Sequence, residues 1–371
     1  MAELSGSQAL GLRMSSLLLD PARPPGPGGR PTDVAGVVEW FGAMQAQDHG
    51  SVGWSLGARL PGTTVDDVRA ALERREALRT WPMRGTVHLI PPRDAHWMLD
   101  LTGVRALAGA AARRANLGLS EQVADRAVAV LGEALAGGGR FTRAQCVQVL
   151  QDAGVDASGQ RAYHLLWYAS QRGVTCIAPH VGTEQTFVLL DEWVPDPYRP
   201  ERDEALGIIA LRFFRSHGPT TRQDFAGWTG LPAADAKRGI AAAGDALTTV
   251  RVDGVEMICT QHLLDRPITP ATGVLALPGF DEYLLGFKDR TMMLDPEHKQ
   301  AVIPGGNGVF QSTVVRDGRV IGTWKRTLTK RQVMIDVRPL VPLRARERAR
   351  VAAALEPFAR YLGLPASVRW P

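Results

Sequence analysis

Two glutamines spaced two residues apart, Gln45 and Gln47, end an apolar run and are followed at once by Asp48. Side chains at i and i+2 do not share a face of a regular helix, but they do in an extended chain. If the helix that begins at Asp33 ends near Met44, both amides can turn toward one cavity. Two neutral amides can hold a water molecule or read the edge of a base, but they cannot act as a strong general base.

The composition is that of a globular protein with a mildly basic balance. Of 371 residues, 45% are hydrophobic and 22% are charged, and the net charge is +5. The basic excess is concentrated between residues 316 and 350, where eleven Lys and Arg accompany three Asp and Glu. Such a segment suits a phosphate backbone, although a solvated helix and hairpin face would have the same composition.

Cysteine usage and hydropathy limit the class of protein. Cys146, Cys176 and Cys259 are scattered without C-x-x-C spacing, which predicts a reducing environment and argues against zinc. The chain shows no signal-peptide pattern and no apolar run of membrane-spanning length. We therefore expect a cytoplasmic monomer with no metal, no cofactor, no membrane association and no protein partner.

The pattern along the chain predicts an α+β protein. Residues 21–31 are rich in proline and glycine and predict an exposed linker. Asp33 predicts a helix cap, residues 65–76 predict a second helix, and residues 79–90 predict a strand that bends at Gly85.

The order helix, helix, hairpin occurs twice, which is typical of winged helices. The first copy has helices at 141–153 and 160–172 and a hairpin at 175–190. In the second copy, helices at 220–230 and 232–243 precede a hairpin around Asp253-Gly254. Thr64 predicts the capped helix of a third, degenerate copy. The predicted modules are residues 1–125, 126–200 and 201–268.

Residues 269–371 predict a small C-terminal β-barrel or sheet that ends in a basic helix. Strands are expected at 273–277, 283–287, 308–315, 319–324 and 332–337, with a tight turn at Asp317-Gly318 and the helix at 343–362. The predicted fold is therefore three tandem winged-helix motifs, a small sheet or barrel, and a terminal helix.

Tandem winged helices usually bind nucleic acid through the second helix of each module. Here that helix is apolar around residues 164–168, and the corresponding helix at 232–243 offers only Lys237 and Arg238 as obvious contacts. A sequence-specific repressor more often carries several Arg, Asn or Gln in this position. We therefore expect these modules to form a groove rather than to read a sequence.

Four long segments, in order, resemble the signatures of one family. They are residues 81–89 (WPMRGTVHL), 187–195 (FVLLDEWVP), 277–290 (LPGFDEYLLGFKDR) and 318–326 (GRVIGTWKR). With the sequence around them, they make the chain resemble the AlkZ/YcaQ family of bacterial winged-helix DNA glycosylases from about residue 7 to 370. The resemblance implies a concave DNA-binding face and a catalytic Gln-aliphatic-Gln motif, which Gln45-Ala46-Gln47 matches with a small central residue. This branch of the family implies self-resistance to DNA-alkylating natural products.

The residues agree with that chemistry. A guanine alkylated at N7 carries a positive charge, so it leaves without help from an acid and forms an oxocarbenium-like sugar. Two amides that hold a water molecule near a carboxylate would meet this need. We predict Gln45 and Gln47 as the catalytic pair of a monofunctional DNA glycosylase. Its substrate would be double-stranded DNA with bulky N7-alkylguanine or an interstrand crosslink, in repair or self-resistance.

Three further residues are possible parts of the site wall, each with an alternative. Asp48 either lines the site or is a carboxylate at a helix end or in a turn, and we favour the second interpretation. His88 lies in an apolar strand, where a satisfied core histidine is the more usual interpretation. Arg84 could hold a phosphate or pair with a core carboxylate. For DNA binding, the candidates are Arg316, Arg319, Lys325 and Arg326, carried by or following a hairpin that could probe a groove.

Two further features have structural alternatives. Asp281 and Glu282 could be a catalytic pair, but we expect them to bond Arg290 or backbone amides. The glycine-rich loop at 304–310 lacks the residues of a P-loop and could instead approach DNA closely. Two other functions fit the same residues: a winged-helix regulator without enzymatic activity, and a protein that binds lesions without cutting.

Overall fold

The computed structural model describes residues 1–22, 29–265, 267–306 and 308–371. Most of the predicted linker at 21–31, and one residue of the loop at 304–310, lie outside the described residues. The described chain separates into two compact units. The first comprises Met1–Val68, Leu206–Trp228 and Pro232–Pro371, and the second comprises Arg69–Ala205 and Thr229–Leu231.

Helices and short strands are interspersed along the amino-terminal half of the chain. Its first part contains β1 (Ala2–Leu4), α1 (Gly6–Ser16), α2 (Val34–Phe41), β2 (Met44–Gln45), α3 (His49–Gly57) and α4 (Val65–Glu73). Next come β3 (Leu78–Met83), β4 (Thr86–Ile90), α5 (Ala95–Met98), α6 (Val104–Gly109), α7 (Ala111–Asn116), α8 (Glu121–Leu135), β5 (Phe141–Thr142), α9 (Arg143–Asp152), α10 (Gln160–Gln171), β6 (Thr175–Val181), β7 (Glu184–Leu189) and α11 (Leu190–Trp193).

The remainder runs from α12 to β14. It contains α12 (Arg202–His217), α13 (Arg222–Thr229), α14 (Ala233–Ala243), β8 (Leu247–Val252), β9 (Val255–Thr260), β10 (Val274–Leu277), α15 (Glu282–Leu285), α16 (Lys299–Val302), β11 (Ser312–Arg316), β12 (Arg319–Leu328), β13 (Val333–Pro339), α17 (Ala345–Leu362) and β14 (Ala366–Arg369). This content confirms the α+β class. Among the described helices, none has the length and apolar character needed to cross a membrane.

The first unit contains two sheets. In the smaller sheet, β8 pairs with β9 in the hairpin predicted around Asp253-Gly254, and β1 adds to its edge in parallel. The larger sheet has the order β10-β11-β12-β13-β14, and only its last pair is parallel. Trp324 of β12 is buried, and its indole N–H donates to the carbonyl oxygen of Leu277 at 3.0 Å. A hydrogen bond from this aromatic side chain therefore links β12 to β10 within the C-terminal sheet.

The second unit has the strand order β4-β3-β6-β7-β5, with α8, α9 and α10 packed beside it. The predicted single strand at 79–90 is wrong in one respect, because Arg84 and Gly85 form a turn between two antiparallel strands. Both residues have positive φ, +55° and +69°, as a two-residue hairpin turn requires. The chain therefore reverses at Gly85 rather than bending.

The predicted strand at 283–287 is also wrong. Residues Glu282–Leu285 form α15, because the Asp281 carboxylate accepts a hydrogen bond from the backbone N–H of Tyr283 and starts a helical turn. In contrast, the predicted helices at 160–172 and 343–362 match α10 and α17 within two residues.

All three cysteines are buried and none forms a disulfide. Burial disfavours the charged thiolate, so it raises the pKa of Cys146 and of Cys259 to about 12. It raises the pKa of Cys176 as well. The three thiols are therefore protonated at neutral pH and shielded from solvent.

A buried ion pair joins the segment after α3 to the segment before α15 in the first unit. The Arg59 guanidinium donates to both oxygens of Asp281, at 2.8 and 2.9 Å, and both side chains are almost fully buried. The hydroxyl of Ser55 donates to the same carboxylate at 2.7 Å. The structural role expected for Asp281 is therefore confirmed, but its partner is Arg59. Arg290 instead donates to the carbonyl oxygen of Leu284.

Replacing Asp281 with asparagine leaves the Arg59 guanidinium buried without a counter-charge. We expect the free energy of unfolding, measured by urea titration, to fall by about 3–5 kcal/mol. The double variant Arg59→Met/Asp281→Leu removes both charges and should lose less than Asp281→Asn alone. A loss below about 1 kcal/mol for Asp281→Asn would contradict this assignment.

Candidate active site

The Gln-x-Gln motif follows a helix that ends earlier than predicted. Helix α2 stops at Phe41 rather than near Met44, because Gly42 adopts φ +75°, which a residue with a side chain rarely adopts. A Cβ atom at Gly42 would also lie 2.9 Å from the side chain of Arg212. Beyond this glycine the chain extends through β2, as the spacing of the two glutamines requires.

The side chain of Gln45 folds back onto the motif's own backbone. Its Oε1 accepts hydrogen bonds from the backbone N–H groups of Ala46 and Gln47, at 3.0 and 3.3 Å. Only the carbonyl end of an amide can accept, so these bonds fix which end faces the backbone. Among the described residues, none accepts a hydrogen bond from Nε2, and the residue is half-buried. Gln45 therefore offers two N–H donors to a ligand, whereas Gln47 is exposed.

The backbone of the motif is held by a buried carboxylate. Glu282 is 1% exposed, and its Oε1 accepts a hydrogen bond from the backbone N–H of Gln45 at 2.8 Å. Its Oε2 accepts from the indole N–H of Trp228 at 3.0 Å and lies 3.3 Å from Nε2 of His217. The expectation that Glu282 bonds a backbone amide is therefore confirmed.

The ionised form of Glu282 is stabilised by these partners. Burial alone would raise the pKa of this carboxyl, but the hydrogen bond and charge of His217 oppose burial. The hydrogen bonds from Gln45 and Trp228 add to them, and together they lower the pKa to about 2. Glu282 is therefore a carboxylate at neutral pH, although it is enclosed by protein.

Asp48 caps the helix that follows the motif. Its Oδ1 accepts a hydrogen bond from the backbone N–H of Ser51 at 2.6 Å, at the start of α3. The same oxygen lies 3.8 Å from the Arg326 guanidinium. The helix-end interpretation is confirmed, and a role for Asp48 in lining the site stays a prediction.

The four basic candidates for DNA binding occupy different surroundings in the first unit. Arg326 is the one that contacts the segment after the motif, through Asp48. Arg316 pairs with Glu347, Arg319 donates to the carbonyl oxygen of Met292 at 3.2 Å, and Lys325 is exposed.

The turn of the β11–β12 hairpin is packed into the unit. A Cβ atom at Gly318 would lie 3.0 Å from Ala271, and the Tyr283 hydroxyl donates to the Gly318 carbonyl oxygen. The carboxyl end of β12, away from this turn, is exposed. Leu328 there is 53% exposed, and Lys330 and Arg331 follow it in the sequence. The sequence motifs did not reveal this end, although its basic residues belong to the basic segment at 316–350.

His88 and Arg84 lie on the β3–β4 hairpin of the second unit. His88 is fully buried, its Nδ1 lies 2.9 Å from the carbonyl oxygen of Thr86, and its Nε2 lies 3.0 Å from the Arg84 guanidinium. A carbonyl can only accept and a guanidinium can only donate, so this geometry fits a neutral imidazole with the proton on Nδ1. The buried, bonded histidine expected from the sequence is confirmed, and its role in the site stays a prediction.

No group of His, Cys, Asp or Glu among the described residues could hold a metal ion. Asp281 and Glu282 are both buried in hydrogen-bonded clusters. The arrangement therefore places two neutral amides, rather than a pair of carboxylates, at the accessible part of the candidate site.

Glu282 makes stability depend on pH in the acidic range. Its pKa falls from 4.5 to about 2 on folding, so the unfolded chain takes up the proton first and stability is lost as pH falls below about 4.5. We expect Glu282→Gln to lose free energy of unfolding less steeply between about pH 5 and 3, by up to about 1.4 kcal/mol per pH unit. Urea titrations at several pH values measure both slopes, and equal slopes would contradict this expectation.

Asp48 variants separate helix capping from charge. Asp48→Ala should lower the free energy of unfolding by about 1 kcal/mol, whereas Asp48→Ser, which keeps a capping oxygen, should change it by only a few tenths. The half-exposed contact with Arg326 contributes little to either value. Equal losses in both variants, measured by urea titration, would argue against a capping role.

Comparison with known proteins identifies the family. The AlkZ-like DNA glycosylase family matches residues 38–361, a range that includes the motif. An interstrand DNA cross-link repair glycosylase of Streptomyces sahachiroi is 30% identical over 346 residues, which cover 86% of this chain and 88% of the relative. The solved structure of the Streptomyces sahachiroi DNA glycosylase AlkZ aligns with a TM-score of 0.79 at 26% identity, over 99% of this chain and 100% of that one. The resemblance seen in the four sequence segments is confirmed: the chain belongs to the AlkZ-like DNA glycosylase family.

Proposed function

We propose that this DNA glycosylase hydrolyses the N-glycosidic bond of bulky N7-alkylguanine in double-stranded DNA, including guanines joined in an interstrand crosslink. The observation that carries the proposal is the fixed geometry of Gln45 beside the exposed Gln47. The relative from Streptomyces sahachiroi is named for cross-link repair, which supports the same substrate class. A role in repair or in self-resistance to an alkylating natural product follows from this chemistry.

The proposed reaction needs no general acid. The bond between C1′ and N9 breaks, its electron pair moves into the base, and the positive charge of the N7-alkylguanine is neutralised. The sugar develops oxocarbenium character, and a water molecule adds its oxygen to C1′ and releases a proton to solvent. The products from a monoadduct are a free alkylated base and an abasic site, whereas the first cleavage of a crosslink leaves an abasic site and a base still attached to the opposite strand.

The two glutamines take different parts in this proposal. The Nε2 group of Gln45 donates to the oxygen of the attacking water, since its carbonyl oxygen is already used by the backbone. Gln47 supplies the amide carbonyl that accepts a hydrogen from the same water. Together they orient a lone pair toward C1′, and positioning rather than proton abstraction supplies the rate.

The proposed DNA interface combines basic side chains with a repeated fold. Arg326 and Lys325, together with Arg316 and Arg319, would contact phosphates of the DNA, and Arg84 and His88 of the second unit stay candidates for contact with the substrate. We further propose that 126–200 and 201–268 are winged-helix modules, that 1–125 is a degenerate third, and that 269–371 is the β-barrel module. An open groove of this kind would admit a bulky lesion that a closed pocket excludes. The enzyme would act as a monomer.

Base release from duplex DNA that carries one N7-alkylguanine tests the proposal. With enzyme in excess, Gln45→Ala and Gln47→Ala are each expected to lower the rate constant at least about 100-fold, because each removes half of the water-holding pair. Gln45→Glu, which keeps the acceptor oxygen but lacks the N–H donors, should lose activity like Gln45→Ala.

A matched control is Gln148→Ala, which removes an exposed glutamine from α9 and should leave base release unchanged. Wild-type rates in the Gln45 and Gln47 variants would reject the proposed pair. If the wild-type protein binds the lesion but releases no base from small, bulky or crosslinked adducts, a lesion-binding protein becomes the better assignment. Protection of a defined sequence in undamaged DNA, without base release, would favour a regulator.

A further inference from the structure

A continuous set of hydrogen bonds links a fully buried carboxylate to both glutamines of the motif. Glu282 accepts from the backbone N–H of Gln45, and the Gln45 amide in turn accepts from the backbone N–H groups of Ala46 and Gln47. We propose that Glu282 is the positioning residue that sets the geometry of both catalytic amides. This inference rests on the function proposed above for Gln45 and Gln47.

Glu282, the anchor of the motif, is held in place on one side by the residue that precedes it. The preceding residue, Asp281, is fixed by Arg59 and Ser55 and caps the turn that contains Glu282. The backbone at Glu282 therefore has little freedom to move. An anchor for a catalytic motif needs this property, because any shift at Glu282 is passed to the N–H of Gln45.

The other side of the anchor is an aromatic enclosure around His217. Phe213 stacks on the His217 ring with centroids 4.6 Å apart, and the rings of Trp228 and Phe287 lie 5.5 and 5.8 Å from it. Gly286 permits this packing, because a Cβ atom there would lie only 2.1 Å from the His217 ring. The rings of His217 and Trp228, which face Glu282, are therefore held in place by close packing.

The chemistry of the enclosure calls for a carboxylate. The backbone N–H of Gln45, the indole N–H of Trp228 and Nε2 of His217 all face the two oxygens of Glu282. A carboxylate can accept hydrogen bonds at both oxygens, whereas the amide of a glutamine has only one accepting oxygen. Glu282→Gln must therefore direct its NH₂ group at a donor or release Gln45.

Release of Gln45 would affect the reaction more than the binding of DNA. Glu282 is buried and does not contact the substrate, so the contacts to phosphates are unchanged in the variant. A misplacement of about 1 Å at a catalytic group can lower a rate about 100-fold. The expected signature is therefore a lower rate constant for base release with unchanged affinity for lesion DNA.

The first test compares Glu282→Gln and Glu282→Asp with a control, Ser170→Ala. The control removes a buried hydroxyl that donates to the carbonyl oxygen of Leu166 within α10, and it takes no part in holding Asp281 or Glu282. In both Glu282 variants we expect base release to fall about 10- to 100-fold, with the Kd for lesion DNA, from fluorescence anisotropy, within about twofold of wild type. Ser170→Ala should release base at nearly the wild-type rate. Glu282→Asp keeps the charge, so it decides the test if Glu282→Gln fails to fold.

A double-mutant cycle shows whether Glu282 acts through Gln45. Gln45→Ala removes the side-chain hydrogen bonds to the backbone of residues 46 and 47 and keeps the backbone N–H that donates to Glu282. Glu282 then has no Gln45 amide to position, so adding Glu282→Asp should lower the remaining rate less than about threefold. A full 10- to 100-fold further loss in that background would overturn the proposal, as would wild-type rates in both Glu282 variants. If Gln45→Ala alone leaves base release unchanged, it is the function proposed for the motif that fails.

Discussion

Two adjacent buried carboxylates, Asp281 and Glu282, hold the first unit together from opposite sides. Asp281 binds Arg59 and Ser55 beside α3, whereas Glu282 binds His217, Trp228 and the backbone of Gln45. Removing a carboxylate from water is costly, so each is retained only because donors surround it. A two-residue segment that follows β10 of the C-terminal sheet thereby links α3, α12, α13 and β2. Disturbing either carboxylate affects elements that are distant in the sequence.

In this arrangement the charged residues and the candidate catalytic residues are different groups. The buried carboxylates of Asp281 and Glu282 stabilise the fold, whereas neutral amides form the accessible part of the motif. A positively charged lesion already contains the activation that other substrates require from an acid. In the proposed reaction the protein therefore has only to orient water and to bind the DNA backbone, and the basic candidates of β12 are at least partly exposed.

The fold and the site were predictable from sequence to different degrees. Local signals worked where one residue type decides the outcome, as with the helix caps at Asp33 and Thr64 and the turn at Asp253-Gly254. The strand expected at 283–287 failed, because an apolar alternation cannot reveal that the Asp281 side chain starts a helical turn.

Contacts between segments that are distant in the sequence could not be predicted from local patterns. Strand β1 at the amino terminus pairs with β8 near residue 250, and neither segment contains a pattern that indicates the other. The motif was recognisable as Gln45 and Gln47, but His217 and Trp228, which surround Glu282, belong to helices of mixed composition whose sequences indicated no catalytic role. Sequence patterns therefore identified the chemistry more readily than the support on which it depends.

The burial of the cysteines affects how the protein would react with DNA-alkylating compounds, if it works in their presence as proposed. Agents that alkylate guanine N7 are electrophiles, and a thiolate is the protein nucleophile that such reagents attack most readily. Cys146, Cys176 and Cys259 are inaccessible, and burial keeps each thiol protonated. In that setting the three cysteines offer no accessible thiolate to the compounds whose DNA damage the enzyme would remove.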